Sequence, residues 1–137
     1  MMEYGREMDT LEEVAALFRV LMHPTRLAIL AILRPGEECV CHMEATLGLR
    51  QAYISQHLIV LRDAGLVSVR RDGWSIYYRV TRPEIFSVID AASLMMTQGD
   101  QERTGTSAIA PRPGACGCPK CRVQLASRWS CLANSAQ

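Results

Sequence analysis

The chain has 137 residues, of which 49% are hydrophobic, and a formal net charge of +1. This size suits one domain with an additional segment. Without a run of about 18 apolar residues or a basic start followed by an apolar core, we expect no membrane span and no secretion signal, and therefore a cytoplasmic protein. Six cysteines in such a chain favour metal or redox chemistry over a disulfide framework.

Positive charge is concentrated in the middle of the chain. Residues 1–49 contain 4 arginines and 8 acidic residues, whereas residues 50–82 contain 6 arginines and 2 acidic residues. Arginine supplies 14 of the 15 basic residues, and its planar guanidinium suits contacts with phosphate and guanine. The middle of the chain is therefore a candidate nucleic-acid surface, and an ordinary solvated face is the alternative.

Two amphipathic helices are predicted in the first quarter of the chain. Residues 10–21 show apolar side chains at helical spacing, with Asp9 or Thr10 available as the N-cap. A break at His23 then allows a second helix over residues 24–33, because Pro24 is tolerated in a first turn. Arg34-Pro35-Gly36 ends this second helix.

The next two predicted helices form a helix-turn-helix. A short helix over residues 39–47 is closed by Gly48, and a further helix covers residues 51–64. One stripe of this further helix holds Ile54, Leu58 and Leu61, and the opposite side holds Ala52, Ser55, Gln56 and Ile59. Small and amide side chains on the outer side suit a helix that reads the major groove.

The pattern changes from helical to alternating over residues 66–80, where Asp72-Gly73 is a hairpin turn signal. We therefore predict a two-stranded wing. Thr81-Arg82-Pro83-Glu84 reads as a capping box that starts a last helix. The fold class is mainly α with a small β-hairpin, a winged helix-turn-helix that dimerises through its flanking helices.

Three regions follow from these patterns. Residues 1–98 form the DNA-binding and dimerisation domain, residues 99–115 form a flexible linker, and residues 116–137 form a cysteine-rich tail. A coil of the linker's length spans roughly 21 to 25 Å. The tail can therefore reach back to the domain.

The region from about Leu11 to Met96 resembles the ArsR/SmtB family of metal-responsive bacterial repressors. Residues 21–30 (LMHPTRLAIL) are similar to its second-helix signature, and residues 51–67 (QAYISQHLIVLRDAGLV) to its recognition helix and the start of its wing. Residues 37–43 (EECVCHM) are similar to its metal box, Glu-Leu-Cys-Val-Cys-Asp-Leu. Glu38 and His42 depart from that box, and His42 leaves open whether an imidazole joins the site.

The resemblance implies a homodimer that binds double-stranded operator DNA without a cofactor and releases it when an inducing ion binds. Arsenic, antimony, cadmium and lead sensors of the family use thiolate ligands from this box. Zinc and nickel sensors use Asp and His ligands on the last helix, but residues 83–97 hold only Glu84 and Asp90 and no histidine. A zinc site on that helix is therefore not expected. We also expect no membrane partner and no small-molecule substrate.

Cys39 and Cys41 are the first candidate ligands. Residues two apart in a regular helix point about 200° from each other, so the pair either lies at a frayed helix start or is brought together when an ion binds. Backbone N–H groups at a helix start lower a thiol pKa and favour the thiolate. The alternative is that both cysteines are small core residues.

A second cysteine cluster lies in the tail. Cys116, Cys118 and Cys121 have the spacing C-x-C-P-x-C in a segment with few apolar residues to pack against, and thiolate clusters prefer soft ions. We expect these cysteines to complete the site begun by Cys39 and Cys41. Cys131 stands apart and is interpreted as incidental.

Candidate DNA contacts fall into two groups. Base edges or phosphates are assigned to four residues of the recognition helix: Gln51, Ser55, Gln56 and His57. Phosphates and the minor groove are assigned to five arginines: Arg50, Arg62, Arg70, Arg71 and Arg79. Two alternatives stay open, since His57 is equally suited to packing between helices and Trp74 is either a wing contact or simply exposed.

The sequence thus predicts a repressor induced by arsenite or antimonite first and by cadmium or lead second. The leading alternative is a thiol redox or persulfide sensor of the same fold. A metal-storage or zinc-structural protein would explain the tail but not the recognition helix. An enzyme is not expected, because no nucleophile with a base, phosphate loop or open metal site is visible.

Overall fold

A computed structural model describes residues 3–97 of the chain. The elements follow one another as α1 (Glu3–Leu21), α2 (Pro24–Leu33), β1 (Glu38–Cys39), α3 (Val40–Leu47), α4 (Gln51–Asp63), β2 (Val67–Asp72), β3 (Ser75–Val80) and α5 (Ile85–Thr97). The predicted fold class, a mainly helical winged helix-turn-helix, is confirmed. The linker (99–115) and the tail (116–137) lie outside the described residues.

One core joins α2, α3 and α4 to the base of the wing. The fully buried side chains are Ile29, Leu30, Leu33, Met43, Ile54, Leu58 and Leu61. The inward stripe predicted for α4 is confirmed, since its members Ile54, Leu58 and Leu61 are all in this set. This packing fixes the orientation of α4 on the body of the domain.

The turn between α3 and α4 depends on Gly48. This residue has a φ of 67° and caps α3 in the left-handed conformation, where its N–H donates to the carbonyl of Glu44 at 2.9 Å. A side chain at this φ would be strained. The predicted helix end is confirmed, and α4 begins three residues later at Gln51.

The sheet has three strands, where the sequence predicted only two. Strand order is β1-β3-β2, and all pairs are antiparallel. The predicted hairpin of β2 and β3 is confirmed, and its closing pair is Asp72 and Ser75, so that the turn residues are Gly73 and Trp74. The additional strand β1 places Cys39 opposite Tyr77.

Two predicted helix starts are wrong. α1 begins at Glu3, so Asp9 and Thr10 lie inside the helix, and the Thr10 hydroxyl donates to the carbonyl of Arg6. α5 begins at Ile85, and the Thr81 hydroxyl donates at 2.6 Å to the carbonyl of Gly65 instead of capping a helix. Thr81 therefore ties the end of the wing to the end of α4.

Within residues 3–97, no single helix is long and apolar enough to cross a membrane. Residues 6–21 of α1 and α2 meet that criterion only when taken together, by length and composition alone, and the pair is bent by 89°.

Candidate functional site

The two thiols of the short helix lie next to each other. Cys39 precedes α3 and has an extended backbone, with φ −86° and ψ 160°, while Cys41 lies in the first turn. Because Cys39 is outside the helix, the helical rotation between positions two apart does not separate the side chains. Their Sγ atoms are 2.6 Å apart. Of the two predicted alternatives, the structure thus favours a pair gathered at the helix start.

The sulfur of Cys39 lies at the N-terminus of α3. The backbone N–H of His42 donates to the Sγ of Cys39 at 3.4 Å, so this sulfur is the N-cap of α3. N–H groups and the helix dipole both stabilise an anion at this position. Cys39 is buried and Cys41 is exposed, so a reagent from solvent meets Cys41 first.

The separation of the sulfurs lies between two chemical end states. A disulfide requires about 2.05 Å. Two thiolates on one tetrahedral ion, each about 2.3 Å from it, lie roughly 3.8 Å apart. Either state fixes the two sulfurs relative to each other and so constrains Cys39, the residue that joins β1 to α3.

Further ligands for an ion are not gathered around the pair by the described part of the chain. Residues 3–97 contain no group of three or more His, Cys, Asp or Glu side chains placed to hold a metal ion. His42, which follows Cys41 in the chain, is buried. The predicted tail ligands Cys116, Cys118 and Cys121, together with Cys131, lie outside the described residues.

The outer side of α4 carries the predicted base-reading side chains. Gln51 and Gln56 are exposed and Ser55 is half-buried. Arg50 is the N-cap of this helix and makes no side-chain hydrogen bond to it, so its side chain is not used for capping. These residues occupy the outer side of the helix that the core holds in place, as a groove-reading helix requires.

His57 differs from the other predicted DNA contacts because it faces the protein. Only 8% of its surface is exposed, and its Nδ1 accepts a hydrogen bond from Nε of Arg26 at 3.3 Å. Its ring lies 4.3 Å from that of His23 and 4.6 Å from that of Tyr53. The structure therefore favours the second predicted alternative, a packing residue between helices.

The environment of His57 opposes its protonation. Burial lowers its pKa from the ordinary value of 6.5, and the neighbouring His23 and Arg26 lower it further. Protonation would also place a hydrogen on Nδ1 and remove the acceptor that Arg26 uses. Arg26 in turn donates from Nη1 to the carbonyl of Val20 at 2.8 Å, so the neutral imidazole helps to tie α4 to α1 and α2.

We expect mild acid to destabilise the protein through His57. Between its ordinary pKa of 6.5 and the lowered folded value, the unfolded chain binds the proton first. Stability is therefore fully present above that ordinary value and is lost as pH falls through the window. Thermal melting from about pH 7.5 to about pH 5.5 should show a declining Tm. His57→Asn, which keeps an acceptor near Nδ1 and does not titrate, should flatten this decline, and an unchanged decline would assign the effect to other groups.

The arginines of the wing have unequal surroundings. Arg71 and Arg79 are exposed, and Nε of Arg79 donates to the hydroxyl of Ser68 at 3.2 Å. Arg70 instead makes a bidentate ion pair with Glu37, with N–O distances of 2.6 and 3.1 Å. This hydrogen bonding raises the pKa of Arg70 above its usual range. The prediction did not anticipate that Arg70 is shared between the wing and the segment before Cys39.

The remaining predicted contacts lie on exposed positions. Arg62 is exposed near the end of α4. Trp74 is fully exposed at the tip of the hairpin, which leaves both predicted alternatives open.

On the last helix, Asp90 forms a bidentate pair with Arg34 at 2.6 and 3.2 Å. The carboxylate of Asp90 is thus already engaged within the protomer.

The flanking helices present apolar side chains to solvent. Those of α1 are Leu11, Val14 and Phe18, and those of α5 are Leu94, Met95 and Met96. A groove of about 820 Å³ beside α1 is lined by apolar residues, among them Val14, Leu17 and Val60, and by three charged residues: Glu13, Asp63 and Arg82. Several exposed apolar side chains on each of two helices are candidates for an interaction face.

Comparison with known proteins identifies the type of molecule that this geometry resembles. Residues 23–69 match the family described as bacterial regulatory protein, arsR family. The biofilm growth-associated repressor of Agrobacterium fabrum is 43% identical over 79 residues, which are 58% of this chain and 68% of that protein. The arsenic resistance transcriptional regulator ArsR1 of Pseudomonas putida is 38% identical over 94 residues, which are 68% and 73% of the two chains.

A solved structure agrees with these relatives. The homodimeric winged helix-turn-helix DNA-binding domain Mb0332 of Mycobacterium bovis, a possible ArsR-family regulator, superposes with a TM-score of 0.60 at 27% identity. The match covers 70% of this chain and 92% of that domain.

Proposed function

Because the chain belongs to the ArsR family of bacterial regulatory proteins, we propose that it is a homodimeric repressor whose operator affinity is set by the Cys39–Cys41 thiols. It is a winged helix-turn-helix transcriptional repressor and not an enzyme. The observation that carries the proposal is the meeting of the two sulfurs at 2.6 Å on the element that leads into the recognition helix. Its operator is double-stranded DNA. The protein itself is placed in the cytoplasm.

The inducer we propose is a soft, thiophilic ion. Two adjacent sulfurs, one of which accepts a hydrogen bond from a helix N–H, suit ions that prefer thiolate over oxygen ligands. Arsenite or antimonite is the first candidate, in line with the name of the Pseudomonas putida relative, and cadmium or lead is the second. We assign the missing sulfur ligands to Cys116, Cys118 and Cys121.

Binding of the ion is coupled to the recognition helix through α3. An ion must hold both sulfurs at bonding distance, and Cys39 is both the last residue of β1 and the N-cap of α3. α3 is joined to α4 by three residues, Gly48, Leu49 and Arg50. A shift at the start of α3 therefore changes how α4 is presented to the groove, which is a difference in operator affinity between two states.

The DNA-binding surface consists of the outer side of α4 and of the wing. We assign base contacts to Gln51, Ser55 and Gln56, and phosphate contacts to arginines of α4 and the wing, with His57 now assigned to the interior. Two such surfaces in a symmetric dimer read two half-sites. The exposed apolar faces of α1 and α5 support dimerisation through these helices, as does the homodimeric Mycobacterium bovis domain.

The proposal is tested by operator release. The reduced protein should bind its operator without added metal and lose it on addition of micromolar arsenite, antimonite, cadmium or lead, with sulfur-to-metal charge-transfer absorption appearing over the same range. Zinc should be far less effective. If none of these ions changes DNA binding, the ion-sensing proposal is wrong, and if no specific DNA is bound, the assignment of an operator-binding dimer fails as well.

The role of the tail is tested in the same assay. A variant with serine at Cys116, Cys118 and Cys121 should need a higher ion concentration for release, since it offers two thiolates instead of three or more. Cys131→Ser is the matched control, and it should respond like the wild type. Unchanged inducer affinity in the triple variant would remove the tail from the site.

The second candidate function is thiol redox sensing, and the contact between the sulfurs favours it. Loss of two electrons and two protons to an oxidant such as a polysulfide would join the adjacent sulfurs of Cys39 and Cys41 in a disulfide. The two functions separate in one experiment. Release by polysulfide that a dithiol reductant reverses, without release by any ion, would identify the redox sensor.

A further inference from the structure

The buried thiol is in register with an arginine of the wing. Cys39 on β1 pairs with Tyr77 on β3, and Tyr77 pairs with Arg70 on β2. Directly paired residues of neighbouring strands project to the same face of a sheet. A single row across all three strands therefore leads from the sulfur, through a tyrosine that is 5% exposed, to the guanidinium.

Arg70 also contacts two residues outside its own strand. Its Cζ lies 5.0 Å from the centre of the Tyr77 ring, and its Nη2 and Nε donate to the carboxylate of Glu37 at 2.6 and 3.1 Å. Glu37 immediately precedes β1 and is two residues from Cys39. The arginine is thus connected to the thiol segment by a ring contact and by a bidentate ion pair.

We propose that Glu37, Tyr77 and Arg70 are positioning residues that transmit the state of the Cys39–Cys41 pair to the wing. This inference rests on the proposed function and adds a second route to the one through α3. β1 contains only two residues, so its pairing with β3 is short and a small displacement of Cys39 shifts the whole strand. Glu37 moves with it and draws Arg70, and hence β2, to a new position.

The wing then contributes to release because its arginines no longer meet the phosphates that they contact in the DNA-bound dimer. An exposed ion pair contributes little to folding stability, which means that its removal should not unfold the protein. Its effect is expected instead in the coupling between inducer and operator. Residues that carry such coupling change it by roughly 2- to 30-fold when they are altered.

The test compares coupling ratios rather than affinities. The probe is phenylarsine oxide, a trivalent arsenical that bridges two nearby thiols, and the readout is the operator Kd with the probe divided by the Kd without it. Glu37→Gln removes the charge of the pair and should lower this ratio by roughly 2-fold or more relative to the wild type. Cys39→Ser is the negative control, because it lacks one of the two thiols that the probe bridges.

Asp90→Asn is the matched control. The Asp90–Arg34 pair is also bidentate, and Arg34 also lies over an aromatic ring, with its Cζ 4.6 Å from the centre of Phe86. It joins the end of α2 to α5, and neither residue belongs to the row of paired strand residues. The ratio should be unchanged in Asp90→Asn, and an equal fall in both variants would overturn the inference, because it would reflect a general loss of ion pairs.

Trp74 provides a readout of the wing without DNA. The chain has two tryptophans, so Trp129→Phe leaves Trp74 at the hairpin tip as the only one. Phenylarsine oxide should change the fluorescence anisotropy of Trp74 in this background, and adding Glu37→Gln should suppress the change.

Two further results would overturn the inference, and they differ in what they mean for the proposed function. In the first result, the probe releases DNA, but Trp74 does not respond and Glu37→Gln keeps the full ratio. The signal then runs through α3 and α4 alone, and the proposal that the Cys39–Cys41 thiols set operator affinity (the dithiol proposal) survives. If the probe leaves operator binding of the wild-type protein unchanged, both the dithiol proposal and the inference are wrong.

Discussion

Replacement of Cys39 by serine is expected to leave a folded repressor that no longer responds to its inducer. Serine is a favoured N-cap residue, and its hydroxyl can accept the hydrogen bond that the Sγ of Cys39 now accepts from the N–H of His42. The helix start is therefore preserved while one of two adjacent thiolates is removed. Alteration of residues that merely orient ligands weakens metal sites by about 10- to 100-fold, so loss of a ligand should raise the inducer concentration for half release by about 100-fold or more.

Cys41→Ser should have the same effect on release for a different structural reason. Cys41 is exposed, so serine costs little packing at this position, and the variant tests the second thiolate without changing the N-cap. Release is measured by fluorescence anisotropy of a labelled operator, titrated with arsenite and with cadmium. Operator affinity without inducer should stay close to that of the wild type in both variants, which separates loss of sensing from loss of folding.

A wild-type release curve in either variant would contradict a site that needs both sulfurs. Wild-type release in both would show that neither thiol takes part in sensing. Different behaviour of the two variants would be equally informative, because a single essential thiol is the expectation for a persulfide or sulfenate and not for an ion held between Cys39 and Cys41.

The elements that could be predicted from sequence are those that local rules define. The bounds of α2 follow from Pro24 at its start and the turn at Arg34-Pro35-Gly36, and the predicted residues 24–33 agree with the structure. The recognition helix follows from one apolar stripe and from Gly48, which the structure places in the left-handed conformation. In each case side chains within one turn of the boundary determine it.

The parts that could not be predicted depend on partners distant in the chain. Nothing within residues 38–39 indicates a strand, because β1 exists only through its pairing with Tyr77 and Tyr78. Thr81 satisfies the capping-box pattern, yet its hydroxyl bonds to the carbonyl of Gly65. The closeness of the Cys39 and Cys41 sulfurs has the same origin, since the strand pairing holds Cys39 outside the helix.

His57 illustrates the limit for side-chain roles. It follows Gln56 in the recognition helix and offers polar atoms, as a DNA contact would. It is nevertheless on the inward side, where Arg26 donates a hydrogen bond to its Nδ1 and the His23 ring packs against its ring. Helical spacing gives a signal that was available: His57 lies three residues after Ile54 and four before Leu61, both of which are fully buried. Position on the stripe was thus a better guide than residue type.

Gln56→Ala should produce the largest loss of operator affinity among the exposed residues of α4. Alanine favours helix and Gln56 is exposed, so the fold should be retained. A bidentate amide contact to adenine contributes about 1–3 kcal/mol of discrimination. A symmetric dimer loses two contacts, or about 2–6 kcal/mol, which corresponds to a Kd at least roughly 30-fold higher. The preference for the operator over an unrelated duplex should fall by a similar factor.

Arg62→Ala separates this base contact from a phosphate contact on the same helix. An arginine that binds phosphate releases counterions, so its loss should weaken binding to all sequences and reduce the slope of log K against log salt by about 1 per protomer. Gln56→Ala should leave that slope unchanged. Titrations between about 50 and 200 mM salt with the operator and an unrelated duplex measure both quantities. Arg19→Ala on α1 is the control for Arg62→Ala. For the first variant, an unchanged operator Kd in Gln56→Ala would show that Gln56 does not read a base.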